Sequence, residues 1–329
     1  MLLLGLLSGG CSHALEGVGA GSTSNGDAGR CVSQAAGIGV DLQAYPSDCF
    51  LVLSSTGSDS AAASGQFLDQ VQRQFYDSFT RAGFALQPLP GKLICVCLRS
   101  YAELDSYGRQ ADGTDVSWMD GYYSYRTNRI AIVQGCGASQ ARPTAAASAG
   151  RAGVYGAVSS GLAAGEGMDL RTVTHELAHQ LAFNSGLQRR GVTYPFWLTE
   201  GLATNFEADY SRAYGLGPKD CCYRGRLLEA KAAGRWIPLP QFAAMADVHG
   251  GSDQATRDAY AQAWGLFRYL LLRKPQQLTR YMSSLSATGL WDHGPQSLDR
   301  RFVGAFGPIG PLEADYQRFI DQLRRGETR

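Results

Sequence analysis

The sequence lacks a surplus of charge, paired Cys-x-x-Cys spacing and an internal repeat. Its 329 residues carry 30 Lys and Arg against 29 Asp and Glu, a formal net charge of +1. A chain so close to neutrality has no electrostatic feature suited to nucleic acid, and we expect no such partner. None of the eight cysteines has the spacing of a structural zinc ribbon. What the chain does have is enough apolar material, 44% of its residues, for a sizeable core.

The chain begins with a short apolar stretch that ends in small residues, Met1-Leu-Leu-Leu-Gly-Leu-Leu-Ser-Gly-Gly-Cys11. This stretch resembles the core of a secretory signal and is too short for a permanent transmembrane helix. We therefore interpret residues 1–14 as a leader and expect an extracytoplasmic protein of bacterial-type export, either periplasmic, secreted or lipid-anchored. Its last residues loosely resemble a lipoprotein processing site, in which Cys11 would carry the lipid. Cleavage after Ala14 by an ordinary signal peptidase is the alternative.

Composition divides the rest of the chain into three parts. Residues 15–47 are rich in Gly, Ser and Ala, and such a stretch predicts a flexible tether because it can bury little apolar surface. Residues 48–168 predict a small α/β subdomain, which includes an Ala/Gly/Ser-rich loop from residue 135 to 167 that is either functional or disordered. Residues 169–329 predict a helical subdomain.

Hydrophobic periodicity gives the expected elements. In the α/β subdomain we predict strands at 50–54 and 92–99, a hairpin over 121–133, and helices at 67–84 and 101–107. Cys95 and Cys97 lie two apart in an apolar strand, so we expect both in the core. In the helical subdomain we predict helices at 169–185, 196–213, 223–233, 255–273, 275–286 and 313–325. Asp169 is placed to cap the first of these helices, and Gly186 can take the left-handed conformation that ends it.

The first of these C-terminal helices contains the motif His175-Glu176-x-x-His179. Two His four residues apart lie one turn apart on the same face, so both imidazoles can reach one ion. Glu176 would lie beside the metal, where it can take a proton from an attacking water and pass it to a leaving amine. The motif alone has three fixed positions, and a solvated His/Glu face on an ordinary helix explains it equally well.

A second segment, Pro195-Phe-Trp-Leu-Thr-Glu200-Gly-Leu-Ala, places Glu200 after 20 residues counted from His179. A carboxylate in such an apolar setting needs a partner, and a metal would supply one. Together the two segments resemble the gluzincin metallopeptidases, and Trp197-Leu-Thr-Glu200-Gly-Leu-Ala203 is similar to a bacterial exported family described as peptidase-MA-like. The resemblance covers roughly residues 90–325 and is strongest between 170 and 210.

The resemblance implies one Zn²⁺ held by His175, His179 and Glu200, with Glu176 as the general base. It also implies an α+β, zincin-like fold, in which a small α/β subdomain with a mixed sheet precedes a mainly helical one and the active-site helix lies between them. Some gluzincins orient a ligand His with an acidic residue four after the ligand Glu. Thr204 occupies that position here and Glu207 lies one turn further on, so the orienting residue stays open.

Two further roles are implied by the resemblance. In several gluzincins a Tyr about 60 residues after the ligand Glu donates to the oxyanion, and Tyr260 is the candidate here. Tyr260 also heads an apolar stripe with Trp264 and Phe267, which is typical of a core helix. Gluzincins bind peptide along an antiparallel edge strand, a role that the strand at 128–133 or a neighbour would have. An ordinary sheet strand is an equal alternative.

We therefore predict a zinc-dependent metallopeptidase that hydrolyses peptide or protein substrates by a metal-activated water. The alternatives are a non-catalytic, metal-stabilised binding or assembly protein and a zinc hydrolase of a non-peptide amide. Since a pure binding protein has no need of Glu176, its presence beside the ligands favours an enzyme. Substrate preference and oligomeric state cannot be read from the sequence.

Overall fold

A computed structural model describes residues 25–117, 119–134, 168–214, 222–248, 252–287 and 294–327. The predicted leader (1–14), the start of the predicted tether and the Ala/Gly/Ser-rich loop (135–167) lie outside these residues. Within the described part of the chain, no helix is both long and apolar enough to cross a membrane.

A five-stranded mixed sheet forms the N-terminal part, in the order β1-β2-β3-β5-β4. The parallel strands β2, β3 and β5 lie inside the sheet, and β1 and β4 pair antiparallel at its two edges. Strands inside a sheet covered on both faces are continuously apolar, which explains the runs that predicted them. The strands are β1 (Gln43–Pro46), β2 (Phe50–Ser54), β3 (Leu93–Leu98), β4 (Gly121–Ser124) and β5 (Arg129–Val133).

Helices cover both faces of the sheet. Helix α2 (Ser58–Arg81) packs on one face, together with the first helix of the C-terminal part. Helix α3 (Tyr101–Tyr107) and a π-helical turn at Gly108–Asp112 cover the other face. Helix α2 begins nine residues before its predicted start. In this additional part Gly65 allows a close approach to the sheet, since a Cβ there would lie 2.9 Å from the Cβ of Ser47.

The structure corrects the predicted tether from residue 25 onward. Residues Asn25–Ala36 form helix α1, and β1 follows within the same predicted segment. Cys31, Ala35, Val40 and Leu42 are buried on the face of the sheet that α3 also covers. The two of these that lie in α1, Cys31 and Ala35, have small side chains, so the helix needs few large apolar groups to pack against the sheet. A composition argument based on large apolar residues therefore missed it.

The C-terminal part is mainly helical, so the protein is a mixed α+β structure. All six predicted helices are present, although the last begins four residues earlier than expected. Helices α7 and α10 were missed; each begins at or next to a proline, after a segment without periodic apolar residues. The described residues of this part form eight helices, α4 (Leu170–Asn184), α5 (Phe196–Tyr214), α6 (Cys222–Ala232), α7 (Leu239–Ala244), α8 (Asp253–Arg273), α9 (Pro275–Ser286), α10 (Pro295–Phe306) and α11 (Ile309–Arg325).

Gly201 sets the contact between α5 and α8. A Cβ at this position would lie 2.6 Å from the carbonyl oxygen of Ala263 and 2.7 Å from the Cβ of Phe267. Asn205, one turn further on, donates to the carbonyl of Trp264 at 2.9 Å. The backbones therefore meet directly beside Glu200, and this close packing explains why Gly follows it in the sequence.

The thiols of Cys95 and Cys97 lie on the same face of β3, as predicted, and are fully buried 3.7 Å apart. Burial raises the pKa of the Cys95 thiol well above its ordinary value, with the neighbouring Cys97 adding to the effect. All five cysteines among the described residues are free. Cys95 and Cys97 are therefore core residues.

Candidate metal site

Helix α4 has the ends that the sequence predicts. The side chain of Asp169 accepts a hydrogen bond from the amide of Arg171 at 3.1 Å and one from the Thr172 hydroxyl at 2.8 Å. Gly186, just past the C-terminus, has a φ of +83°, a value that glycine adopts without strain. The helix presents His175 and His179 on one face, one turn apart, as the motif requires.

The side chains of His175, His179 and Glu200 converge, with one possible ligand atom from each within 4.8 Å of the others. The Nε2 atoms of the two His are 3.2 Å apart. Oε2 of Glu200 lies 3.3 Å from Nε2 of His175 and 3.5 Å from Nε2 of His179. The three atoms thus form a nearly equilateral triangle.

The size of this triangle fits a zinc ion. Ligands at about 2.0–2.1 Å from a tetrahedral ion are separated by roughly 3.3–3.4 Å, which lies within the range of 3.2 to 3.5 Å found here. Two neutral His and one carboxylate are the donors expected of a catalytic zinc site.

The electrostatics of the cluster favour positive charge. Burial lowers the pKa of His175, but hydrogen bonds to Glu200 and Glu207 and the charge of Glu176 outweigh it and raise the pKa to about 10. Burial raises the pKa of Glu200, but the positive charge of His179 and hydrogen bonds to both His residues hold it well below its usual range. Without a metal, the site would thus hold a proton.

Glu207 is the acidic residue that faces the second nitrogen of His175, a position that the sequence left open. Its Oε2 lies 3.2 Å from Nδ1 of His175. Glu207 follows Glu200 by seven residues, which is two helical turns, so both carboxylates lie on the same face of α5. Thr204, the residue at the position usual for an orienting acid, instead donates its hydroxyl to the backbone carbonyl of Glu200 at 2.6 Å. The i, i+7 spacing of Glu200 and Glu207 was the sequence signal that could have identified Glu207.

Glu176 points to the sheet edge. Its Oε2 accepts a hydrogen bond from the backbone amide of Tyr123 at 2.9 Å, and its side chain is 5% exposed. Tyr123 lies in β4, the edge strand of the predicted hairpin. The hairpin is confirmed, but β5, the strand proposed first for substrate binding, lies inside the sheet between β3 and β4. Among the described residues, the edge position on this side of the sheet belongs to its neighbour, β4, whose four residues are buried.

Tyr260 lies in α8, as expected from its apolar stripe, and is 7% exposed. Its ring meets that of Phe196 edge-on, with the ring centroids 5.0 Å apart. Phe196 begins the helix that carries Glu200, so the packing places Tyr260 near the start of α5. A role for Tyr260 at the oxyanion stays a prediction.

Comparison with known proteins gives a family without an assigned activity. Residues 169–289 match the family described as "Protein of unknown function (DUF1570)". The matched segment includes both His residues, Glu176 and Glu200, and the description identifies no peptidase family. No curated protein matches the chain.

Proposed function

We propose that this protein is a zinc-dependent metallopeptidase of gluzincin type, with a zincin-like fold. The observation that carries the proposal is the triangle of His175, His179 and Glu200, with sides of 3.2 to 3.5 Å, next to a buried Glu176. A structural zinc site would use four protein ligands, whereas a site with three leaves a fourth position for water or substrate.

The local charge supports a divalent cation. Glu176, Glu200 and Glu207 are buried, at 5%, 7% and 6% exposure. Arg171, whose Nε lies 3.4 Å from Oε1 of Glu207, supplies one permanent positive charge. Three carboxylates and one guanidinium leave two negative charges, and buried charge without compensation is costly. A divalent cation between His175, His179 and Glu200 would balance them.

The residues would share the reaction as follows. His175, His179 and Glu200 would hold Zn²⁺, which when bound polarises a carbonyl and lowers the pKa of water. Glu176 would accept a proton from the attacking water and pass it to the nitrogen of the leaving amine. The Tyr123 amide would hold the Glu176 carboxylate in place through its hydrogen bond. Tyr260 remains the candidate for an oxyanion donor.

We propose β4 as the strand that binds the substrate. Main-chain groups along a strand alternate between its two sides, and the Tyr123 amide, which bonds Glu176, points away from β5. The edge of β4 that faces away from β5 therefore passes directly by the proposed base. An extended peptide could pair with it through main-chain bonds, a mode that needs few particular side chains. We propose export, with Cys11 as a possible lipid anchor, on the sequence argument alone.

The test is a digest of a peptide library by the zinc-loaded protein and by the Glu176→Gln variant. We expect cleavage by the wild type, a loss of at least about 100-fold in the variant, and equal zinc content in both. Equal hydrolysis by the two proteins would refute the role of Glu176. A zinc-loaded wild type that cleaves no peptide would favour a binding protein, or a hydrolase of a non-peptide amide if it cleaves such a compound.

A further inference from the structure

We propose that Glu207 is a positioning residue for His175, and that Arg171 and Tyr223 hold Glu207 in place for this task. The inference rests on the metal site of the proposed function but requires no peptidase activity. It assigns the orienting role to a carboxylate seven residues after Glu200, where Thr204 occupies the position four residues after it.

The two nitrogens of the His175 ring face different carboxylates. Nε2 lies 3.3 Å from Glu200 and Nδ1 lies 3.2 Å from Glu207. A neutral imidazole that binds a metal through Nε2 carries its proton on Nδ1, and a carboxylate that accepts this proton fixes both the tautomer and the ring orientation. Glu207 occupies the place where that acceptor is needed.

Glu207 is itself held from two helices. Oε2, the oxygen that faces His175, also accepts a hydrogen bond from the Tyr223 hydroxyl at 2.8 Å. Oε1 lies 3.4 Å from Nε of Arg171. Arg171 precedes His175 by four residues, so α4 supplies both the ring and the guanidinium, whereas Tyr223 comes from α6. Partners on both oxygens limit the rotation of the carboxylate.

The Arg171 pair could by itself be a structural link between α4 and α5. Two features point further. Oε2 of Glu207 lies near His175, whereas Oε1 lies near Arg171. The ion pair with Arg171 therefore does not require Glu207 to approach the imidazole ring. The oxygen that faces His175 also accepts a hydrogen bond from the Tyr223 hydroxyl, so it is held toward the ring independently of Arg171. Loss of a purely structural link would leave zinc affinity unchanged, whereas loss of a positioning residue would lower it.

The test compares Glu207→Gln with wild type and with Asp209→Asn as the matched control. Asp209 lies two residues further along α5 and pairs with Arg268 at 2.6 Å and Arg212 at 3.1 Å. The control therefore loses a carboxylate with two ion pairs on the same helix. Zinc affinity is measured by competition with a chromophoric chelator, and the Nδ1 proton of His175 by NMR of the zinc-loaded proteins.

We expect Glu207→Gln to weaken zinc binding by about 10- to 100-fold and to move the Nδ1 proton resonance of His175 upfield. Asp209→Asn should change neither. Tyr223→Phe, which keeps the carboxylate and removes one of its donors, should have a smaller effect in the same direction.

Wild-type affinity and an unchanged Nδ1 resonance in Glu207→Gln would overturn the inference, as would a wild type that binds no zinc. A protein that binds zinc and shows these effects, but cleaves no peptide, would leave the inference standing while the proposed function fails.

Discussion

The backbone amide of Tyr123 donates a hydrogen bond to the carboxylate of Glu176, with 2.9 Å between nitrogen and oxygen. The contact joins the edge strand of the sheet to the helix that carries both His residues. It brings the N-terminal α/β part to the cluster on α4 and α5, although no side chain of that part belongs to the triangle of possible ligands. The proposed base and the proposed substrate strand are thus in direct contact.

Replacing Tyr123 with Pro tests this contact. Because the Tyr123 amide points away from β5, a proline there removes the donor to Glu176 without removing a bond of the sheet. A hydrogen bond to a charged group contributes about 1.5–3 kcal/mol. We therefore expect a fall in kcat of about 10-fold or more, with zinc affinity unchanged.

Tyr123→Ala is the control for that variant, because it keeps the amide but loses the stacking on Phe183 and the hydrogen bond to Asn128. Each variant is assayed for peptide hydrolysis, zinc affinity and unfolding in urea. Equal kcat in the Pro and Ala variants would show that the amide does not act on Glu176.

Gly201→Ala tests the packing beside Glu200. The added Cβ would lie 2.6 Å from the Ala263 carbonyl oxygen, which belongs to backbone and cannot rotate away. We expect a loss of about 1–3 kcal/mol in the free energy of unfolding, as for other overpacked cores. Zinc affinity should also fall, because Glu200 must shift with the helix. Urea unfolding of the metal-free and zinc-loaded proteins measures both effects.

The matched control is Gly225→Ala in α6, where a Cβ would have no heavy atom within 4 Å. Alanine is the better helix former by about 0.5–1 kcal/mol, so this variant should be as stable as the wild type or more so. A Gly201 variant that behaved like the Gly225 variant would contradict the close contact of α5 and α8.

The pKa of His175 predicts proton release on zinc binding. The raised pKa, about 10, keeps His175 protonated at neutral pH in the metal-free protein. Since a metal-bound imidazole must give up that proton, zinc binding at pH 7 should release about one proton from His175. Affinity should rise with pH until the pKa is passed. Calorimetry in buffers of different ionisation enthalpy measures the number of protons.

The same shift affects the stability of the metal-free protein. Because the folded pKa of about 10 is above the ordinary value of 6.5, the stabilisation from protonated His175 is fully present below pH 6.5 and is lost as the pH rises through about 10. Zinc binding without proton release at pH 7, or metal-free stability unchanged between pH 7 and 10, would contradict this protonation state.

Local patterns predicted most of the elements and the core of the site. The strand Phe50–Ser54 and the helix Tyr101–Tyr107 have the bounds expected from their residues. The cap at Asp169 follows from chemistry within one turn. Helical spacing predicts that His175 and His179 share a face. Their choice as metal ligands together with Glu200 rests on the apolar setting of Glu200 and on the resemblance to the gluzincins.

Features that depend on distant parts of the chain were not predicted. The order of β4 and β5 depends on which strand pairs with β3, a pairing between segments that α3 separates in the chain. Glu207 lies beside His175 only because α4 and α5 pack together. Helix α1 was missed because small buried residues such as Ala35 leave a weak hydrophobic pattern.

The most direct test of the account is the zinc content of the purified protein after gel filtration, for wild type and for Glu200→Ala. Glu229→Ala is the control, since Glu229 is an exposed partner of Arg235 outside the cluster. We predict one zinc per chain for wild type and control, and little or none for Glu200→Ala. A wild type without zinc, or a Glu200→Ala variant that retains a full equivalent, would contradict the proposed metal site.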